Sequence, residues 1–242
     1  MNLCIDQGNS STKIGIFDQN KLVETAIFEK FGSMEINALN GQFRIDACIM
    51  SSVIHENNDF LIELKSHWPD LIVLSHHTPV PIDNRYKTPE TLGRDRLAVV
   101  VGASYLKPQS DILVIDAGTA ITYDFIDANS VYWGGNIAPG LNLRLRSLHE
   151  FTQKLPLLEA QIDSPLLGTD TQSAMISGCL HGIVYEIDGY INTLKIKYPQ
   201  LSVFLTGGST FYFDTKLKNA IFAERNLVLI GLNRILQYNV QK

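Results

Sequence analysis

No stretch of this 242-residue sequence approaches the roughly 18 consecutive apolar residues that a membrane-crossing helix needs. Cysteine is scarce. Cys4, Cys48 and Cys179 are an odd number, far apart and without Cys-x-x-Cys spacing, so neither a disulfide framework nor a zinc site is expected. Cys4 and Cys179 lie among apolar neighbours and read as small core residues in a reducing compartment. Clustered positive charge is missing as well. Lys and Arg number 20 against 25 Asp and Glu, a net charge of −5 with no basic stripe, which argues against a nucleic-acid surface. There is no low-complexity tract. The first residues, Met1-Asn2-Leu3-Cys4-Ile5-Asp6, carry no basic region and meet an acid too early for a signal peptide, so the expected location is cytoplasmic, with no membrane partner.

What is present is an ordinary globular composition, 45% hydrophobic and 19% charged, and a chain long enough to bury roughly 70–75% of its unfolded surface. Its most telling stretch comes first. Asp6-Gln7-Gly8-Asn9-Ser10-Ser11-Thr12-Lys13 separates two apolar runs, Leu3-Cys4-Ile5 and Ile14-Gly15-Ile16-Phe17, and so predicts a β-hairpin. Gly8 lets backbone approach a ligand, and the hydroxyl residues beside it leave donors free for phosphate oxygens. Asp6 is placed to hold a hydrated Mg²⁺, and Lys13 to meet phosphate as a point charge. The same octapeptide also reads as a plain turn capped by Asn and Asp.

A second copy favours the phosphate reading. Asp116-Ala117-Gly118-Thr119-Ala120 follows the run Ile112-Leu113-Val114-Ile115, precedes Ile121 to Phe125, and lies 110 residues after the first hairpin. An internal duplication is expected, each half opening on an acidic, glycine-containing hairpin. Two such hairpins facing one another across a cleft resemble the actin, sugar kinase and Hsp70 superfamily. The expected fold is therefore α/β, with duplicated ribonuclease H-like (actin-like ATPase) domains. Each would be a mixed five-stranded sheet with flanking helices. Residues 1–110 would form the half with the phosphate loop and substrate segment, and 111–242 the half with the second hairpin and a dimer helix.

The intervening sequence fits. Strands are expected at 21–28, 45–52 and 71–74 and a helix at 57–68, in a βββαβαβ order. His76 and His77 lack a third ligand of suitable spacing and are not expected to bind metal. Tyr86 leads to Gly93-Arg94-Asp95-Arg96, at or near the N-terminus of an apolar helix. Asp95 is favoured there by the helix dipole, whereas Arg94 and Arg96 are not, which suggests an anionic partner. Gly134-Gly135 and Pro139-Gly140 read either as a wall beside a substrate or as a bulge and a turn. Thr169 and Gln172 have capping-box spacing before a long helix, whose apolar stripe reads as core or subunit interface and whose Gly178 and Gly182 suggest a close-packing face. Thr171 offers a first-turn hydroxyl to a substrate. Thr206-Gly207-Gly208-Ser209 ends a strand, and an amphipathic helix closes the chain.

Four motifs occur in order: Asp6-x-Gly8-Asn9-Ser10-x-x-Lys13, Pro89-x-x-x-Gly93-x-Asp95-Arg96, Asp116-x-Gly118-Thr119-Ala120, and Gly134-Gly135-x-Ile137-x-Pro139-Gly140. Together they resemble type III pantothenate kinase over nearly the whole chain. The resemblance implies ATP-dependent phosphorylation of pantothenate with Mg²⁺ and a monovalent cation, K⁺ or NH₄⁺, in a homodimer. It implies a phosphate loop of Asp6, Gly8, Asn9, Ser10, Ser11, Thr12 and Lys13, with Asp6 towards Mg²⁺ and Thr119 on the nucleotide. Asp95 would be the general base. Tyr86, Gly93, Arg94, Asp95 and Arg96 would hold pantothenate, Thr171 would reach it from the other subunit, and Asp116 would bind the monovalent cation. Ser10 stands where Thr is frequent in the family and keeps the hydroxyl. The competing readings are another kinase of the superfamily, acting on a sugar or small carboxylate, and a non-catalytic relative that uses the nucleotide site for regulation.

Overall fold

Apolar residues at alternate positions start the chain as a meander. The computed structural model describes residues 1–9, 11–53 and 58–240. In it β1 (Asn2–Gln7) and β2 (Thr12–Asp18) pair antiparallel, and β3 (Lys21–Phe28) extends the hairpin after a turn in which Gln19 has φ 53°. Next come α1 (Ser33–Gln42), which fills the helix slot after the meander, then β4 (Ala47–Ser52), α2 (Asn58–His67) and β5 (Ile72–Val73). The sheet order is β3-β2-β1-β4-β5, with β4 parallel to β1 and β5 parallel to β4.

After β6 (Asp83–Asn84) and a single 3₁₀ turn at Pro89–Thr91, the apolar run beyond Gly93 forms α3 (Arg94–Leu106). A second meander follows: β7 (Ile112–Ala117), β8 (Ala120–Ile126) and β9 (Val131–Pro139). Then come α4 (Leu141–Glu150), α5 (Thr171–Lys197), β10 (Ser202–Thr206), β11 (Phe222–Ala223) and α6 (Leu227–Val240). The second sheet runs β11-β10-β7-β8-β9-β6. Its first five strands repeat the order of the first sheet, with the hairpin antiparallel and β7, β10 and β11 parallel. The duplication suggested by two hairpins is thus written in the topology of both halves. A sixth strand replaces the five expected, because β6 pairs with the start of β9 through Asp83 and Asn84 against Val131 and Tyr132.

The chain divides into two compact units. The first comprises Met1–Pro108, Ser130–Tyr132 and the segment from Asn226; the second comprises Gln109–Asn129 and Trp133–Arg225. A plain split at 110 therefore misses the return of α6 to the first unit. Two glycines explain that return. A Cβ on Gly231 would lie 1.8 Å from the Ala98 carbonyl oxygen, and one on Gly102 would lie 2.5 Å from that of Leu227, so α3 and α6 touch backbone to backbone. Cys4, Ile49, Leu74, Ala98, Val101, Leu229 and Leu232 form the core on that face of the first sheet. Leu3, Ile5, Met50, Ile36 and Leu64 form the core on the other face, beneath α1 and α2. The second unit has its own core, where Ile115, Tyr123, Ile176, Leu180, Ile183 and Leu205 meet beneath α4 and α5.

Candidate active site

Strand pairing aligns the first acidic hairpin. Asp6 lies opposite Lys13 on β2 and beside Ser51 on β4, so the three stand in one row across the sheet. Alternate residues of a strand share a face, and Cys4 and Ile49, two residues back, belong to the core under α3 and α6. The Lys13, Asp6, Ser51 row therefore points to the side of the sheet that carries the head of α3. The turn is tight: the Gly8 amide donates to the Ser11 carbonyl at 2.9 Å. Ser10 lies outside the described residues. Asn9 is exposed, Ser11 half-buried, and Thr12 buried as the first residue of β2.

Gly93 caps α3 and puts Asp95 in its first turn, where Asp95 Oδ1 accepts the Arg96 amide at 2.8 Å. A Cβ on Gly93 would stand 2.5 Å from that same Oδ1, so glycine keeps the carboxylate's place open. Asp95 is close enough to Asp6 to act on it. Burial first, and the Asp95 charge second, push the Asp6 carboxyl from its ordinary range up to about 7, while Lys13 pulls the other way. The flanking arginines have further partners. Arg94 Nε donates to the Leu74 carbonyl at 2.7 Å, and the buried Arg96 guanidinium lies 5.5 Å from the Tyr86 ring centroid. Tyr86 in turn stacks on Tyr132 at 6.2 Å. The structure thus brings Asp6, Lys13 and Asp95 into one neighbourhood and links Tyr86 to Arg96.

In the second unit Asp116 takes the position that Asp6 holds in the first. It lies opposite Thr122 on β8 and beside Thr206 on β10. Gly207, at φ +97°, passes so close that a Cβ would meet Asp116 Oδ1 at 2.4 Å. Thr119 is exposed at the tip of this hairpin, and its carbonyl accepts the Gly140 amide at 3.0 Å. Gly135 proves structural. A Cβ there would collide with the Tyr123 carbonyl at 1.7 Å, so this glycine permits close strand approach.

Thr171 stands exposed at the first position of α5. The cap before it differs from the expected Thr169 and Gln172 pair. Asp170 is the N-cap, its Oδ1 accepts the Ser173 amide at 2.9 Å, and Ser173 Oγ accepts from the Asp170 amide. An aspartate is as good a cap as threonine, and its carboxylate also meets the positive end of the helix. Of the two glycines expected on a close-packing face of α5, a Cβ on Gly182 would lie 3.8 Å from Arg144 Nη1, and one on Gly178 would meet no atom within 4 Å.

Sequence reasoning missed two polar features. Glu186 on α5 receives both the Tyr123 hydroxyl, at 2.7 Å, and Arg144 Nη2, at 2.6 Å, tying β8, α4 and α5 together; burial and that carboxylate raise the Tyr123 phenol. Arg144 is thereby accounted for within the chain. The second is Ser51, whose relation to Asp6 exists only once β1 and β4 have paired.

A family model described as type III pantothenate kinase matches residues 2–193. A type III pantothenate kinase of Phocaeicola vulgatus is 50% identical over 239 residues, 99% of either chain. Among solved structures, a Campylobacter jejuni protein described as a Baf family transcriptional activator aligns over 99% of this chain and 100% of its own, at 24% identity and a TM-score of 0.60. The activator of 2-hydroxyisocaproyl-CoA dehydratase from Clostridium difficile, with bound ADPNP, aligns over 98% and 93%, at 12% identity and a TM-score of 0.53. At such identities the structural likenesses speak to fold alone, and that fold is the actin-like ATPase fold.

Proposed function

The chain belongs to the type III pantothenate kinases, ATP-dependent phosphotransferases of coenzyme A synthesis, and we propose how its residues divide the transfer of phosphate from ATP to pantothenate. Asp95 is the general base for the pantothenate hydroxyl. The observation that carries this is its place at the head of α3, accepting a backbone amide and close enough to Asp6 to raise it. Lys13 supplies fixed positive charge to the phosphates, and Gly8, Asn9, Ser10, Ser11 and Thr12 supply donors around them. Tyr86, Gly93, Arg94 and Arg96 hold pantothenate, and Thr119 touches the nucleotide. Phosphoryl transfer asks chiefly for alignment and charge neutralisation, which this division provides.

The residues fit the two cations that the family implies. Asp6 is a carboxylate that burial and then the Asp95 charge hold above its ordinary range, and a hydrated Mg²⁺ would supply the counter-charge that lets it ionise. Around Asp116 the row offers one carboxylate and two threonine hydroxyls, an all-oxygen set of single charge that suits K⁺ or NH₄⁺. Bound there, these ions offset the charge of the phosphates.

Homodimerisation has its support on α5. Thr171, Ala174, Gly178, Gly182, Tyr185 and Gly189 recur every three or four residues along one stripe, and no residue of the stripe is buried. Phe151 and Leu167 in the same unit are 86% and 80% exposed. A second copy laid on this stripe would bring Thr171 to a neighbour's pantothenate. Sedimentation is expected to give twice the 27.0 kDa chain mass, and a 27.0 kDa species at micromolar concentration would refute the dimer.

The reaction is tested by following ADP release with ATP, Mg²⁺ and pantothenate in potassium and in sodium, for the wild type and Asp116→Asn. Release should require pantothenate and run faster in potassium, and the variant should lose that preference. Release indifferent to pantothenate would overturn the substrate; potassium activation unaltered in the variant would overturn the cation site.

A further inference from the structure

Among the described residues, two buried side-chain oxygens have no hydrogen-bond partner: Ser51 Oγ and Thr122 Oγ1. Their positions are related. Ser51 stands beside Asp6 across the β1 and β4 pair, and Thr122 stands opposite Asp116 across the β7 and β8 pair. Each half thus leaves one hydroxyl unanswered, next to its own hairpin acid. Burying a hydroxyl without a partner is unfavourable, and natural chains keep such a group where a ligand or water completes it.

Ser51 is the sharper case. It is 0% exposed, whereas its neighbour Ser52, at 2%, donates to Gln7 Oε1 at 3.0 Å. Packing alone would be served as well by alanine at position 51. The register puts Ser51 on the face shared by Asp6 and Lys13, towards the head of α3. A hydroxyl can donate to a carboxylate and accept from a water at the same time, which Lys13, a donor only, cannot do.

We propose that Ser51 is a positioning residue of the phosphate loop, whose hydroxyl fixes the water shell that Asp6 holds around the divalent cation when nucleotide is bound. The proposal rests on the reading that Asp6 faces Mg²⁺. Groups that orient a metal's immediate ligands typically change metal affinity or activity about 10–100-fold when removed. Removing an unpartnered buried hydroxyl takes no hydrogen bond from the ligand-free protein, so its stability should hold or rise.

The test uses Ser51→Ala and the near-isosteric Ser51→Cys, with Asp6→Asn as reference. Four readouts are taken: the melting temperature without ligand, the Mg²⁺ concentration that half-saturates binding of a non-hydrolysable ATP analogue, the Mg²⁺ dependence of turnover, and the KM for pantothenate. Expected for both serine variants is an unchanged melting temperature or a rise of about 2–4 °C, with half-saturating Mg²⁺ raised about tenfold and the KM for pantothenate unmoved. If Asp6→Asn shifts the Mg²⁺ dependence and the serine variants do not, Ser51 is packing and the proposal is wrong. If Asp6→Asn also leaves it unmoved, the reading of Asp6 fails first. A drop in melting temperature with no change in Mg²⁺ binding likewise overturns the proposal.

Discussion

Asp95→Asn is expected to lower kcat about 10²–10⁴-fold, the range by which a positioned base contributes to proton transfer. Binding of a non-hydrolysable ATP analogue should stay within a few-fold of wild type. The two outcomes separate because an asparagine Oδ1 still accepts the Arg96 amide, so the head of α3 keeps its form, while the amide cannot take a proton. Single-turnover kinetics would show the loss in the chemical step. Near-normal turnover in the variant would remove Asp95 from the chemistry.

The second large effect concerns stability, and its sign is set by Asp6. In the folded, ligand-free protein burial and the Asp95 charge let this carboxyl keep its proton up to about pH 7, whereas in the unfolded chain it ionises near its ordinary 3.8. Between those values the folded state binds more protons. Stability attributable to Asp6 is therefore present at low pH, declines as pH rises from about 4 to about 7, and stays lost above. Asp6→Asn removes the dependence. Without ligand the variant should be more stable than wild type at pH 8, by at most about 4 kcal/mol at 1.36 kcal/mol per pH unit, and its advantage should shrink towards pH 4. Urea unfolding at several pH values checks this, and a difference that does not vary with pH would contradict it. Mg²⁺ and nucleotide should reverse the ranking, because only the wild type gains a counter-charge for its carboxylate.

Both effects involve residues that sequence made visible, for a physical reason. Hairpins and helix heads are local. Asp6 and Lys13, or Gly93 and Asp95, sit within a few positions of one another, and turn chemistry or dipole logic can be applied to each stretch alone. The repeated Asp-x-Gly pattern likewise announced a duplicated fold, which the matching sheet orders bear out. What stayed hidden depends on pairing at a distance. Ser51 reads as a small polar residue near a strand end, and its place beside Asp6 exists only once β4 lies parallel to β1. Two-residue strands such as β6 and β11 carry no periodicity to read. The Asp170 cap was overlooked because a neighbouring threonine matched the same template. Gly102 and Gly231 carry no signal in their own stretches; each marks where the other helix lies.

That glycine contact also joins segments far apart in the chain. Most residues of the first unit precede those of the second, yet the face of β1 and β4 that holds Cys4 and Ile49 is covered in part by Leu229 and Leu232 of α6. The helix that carries Asp95 lies against that same last segment. The residues that complete that face therefore stand after those of the second unit in the sequence. The α6 helix, which follows the second unit in the chain, thus covers the face against which α3, with Asp95 in its first turn, is seated.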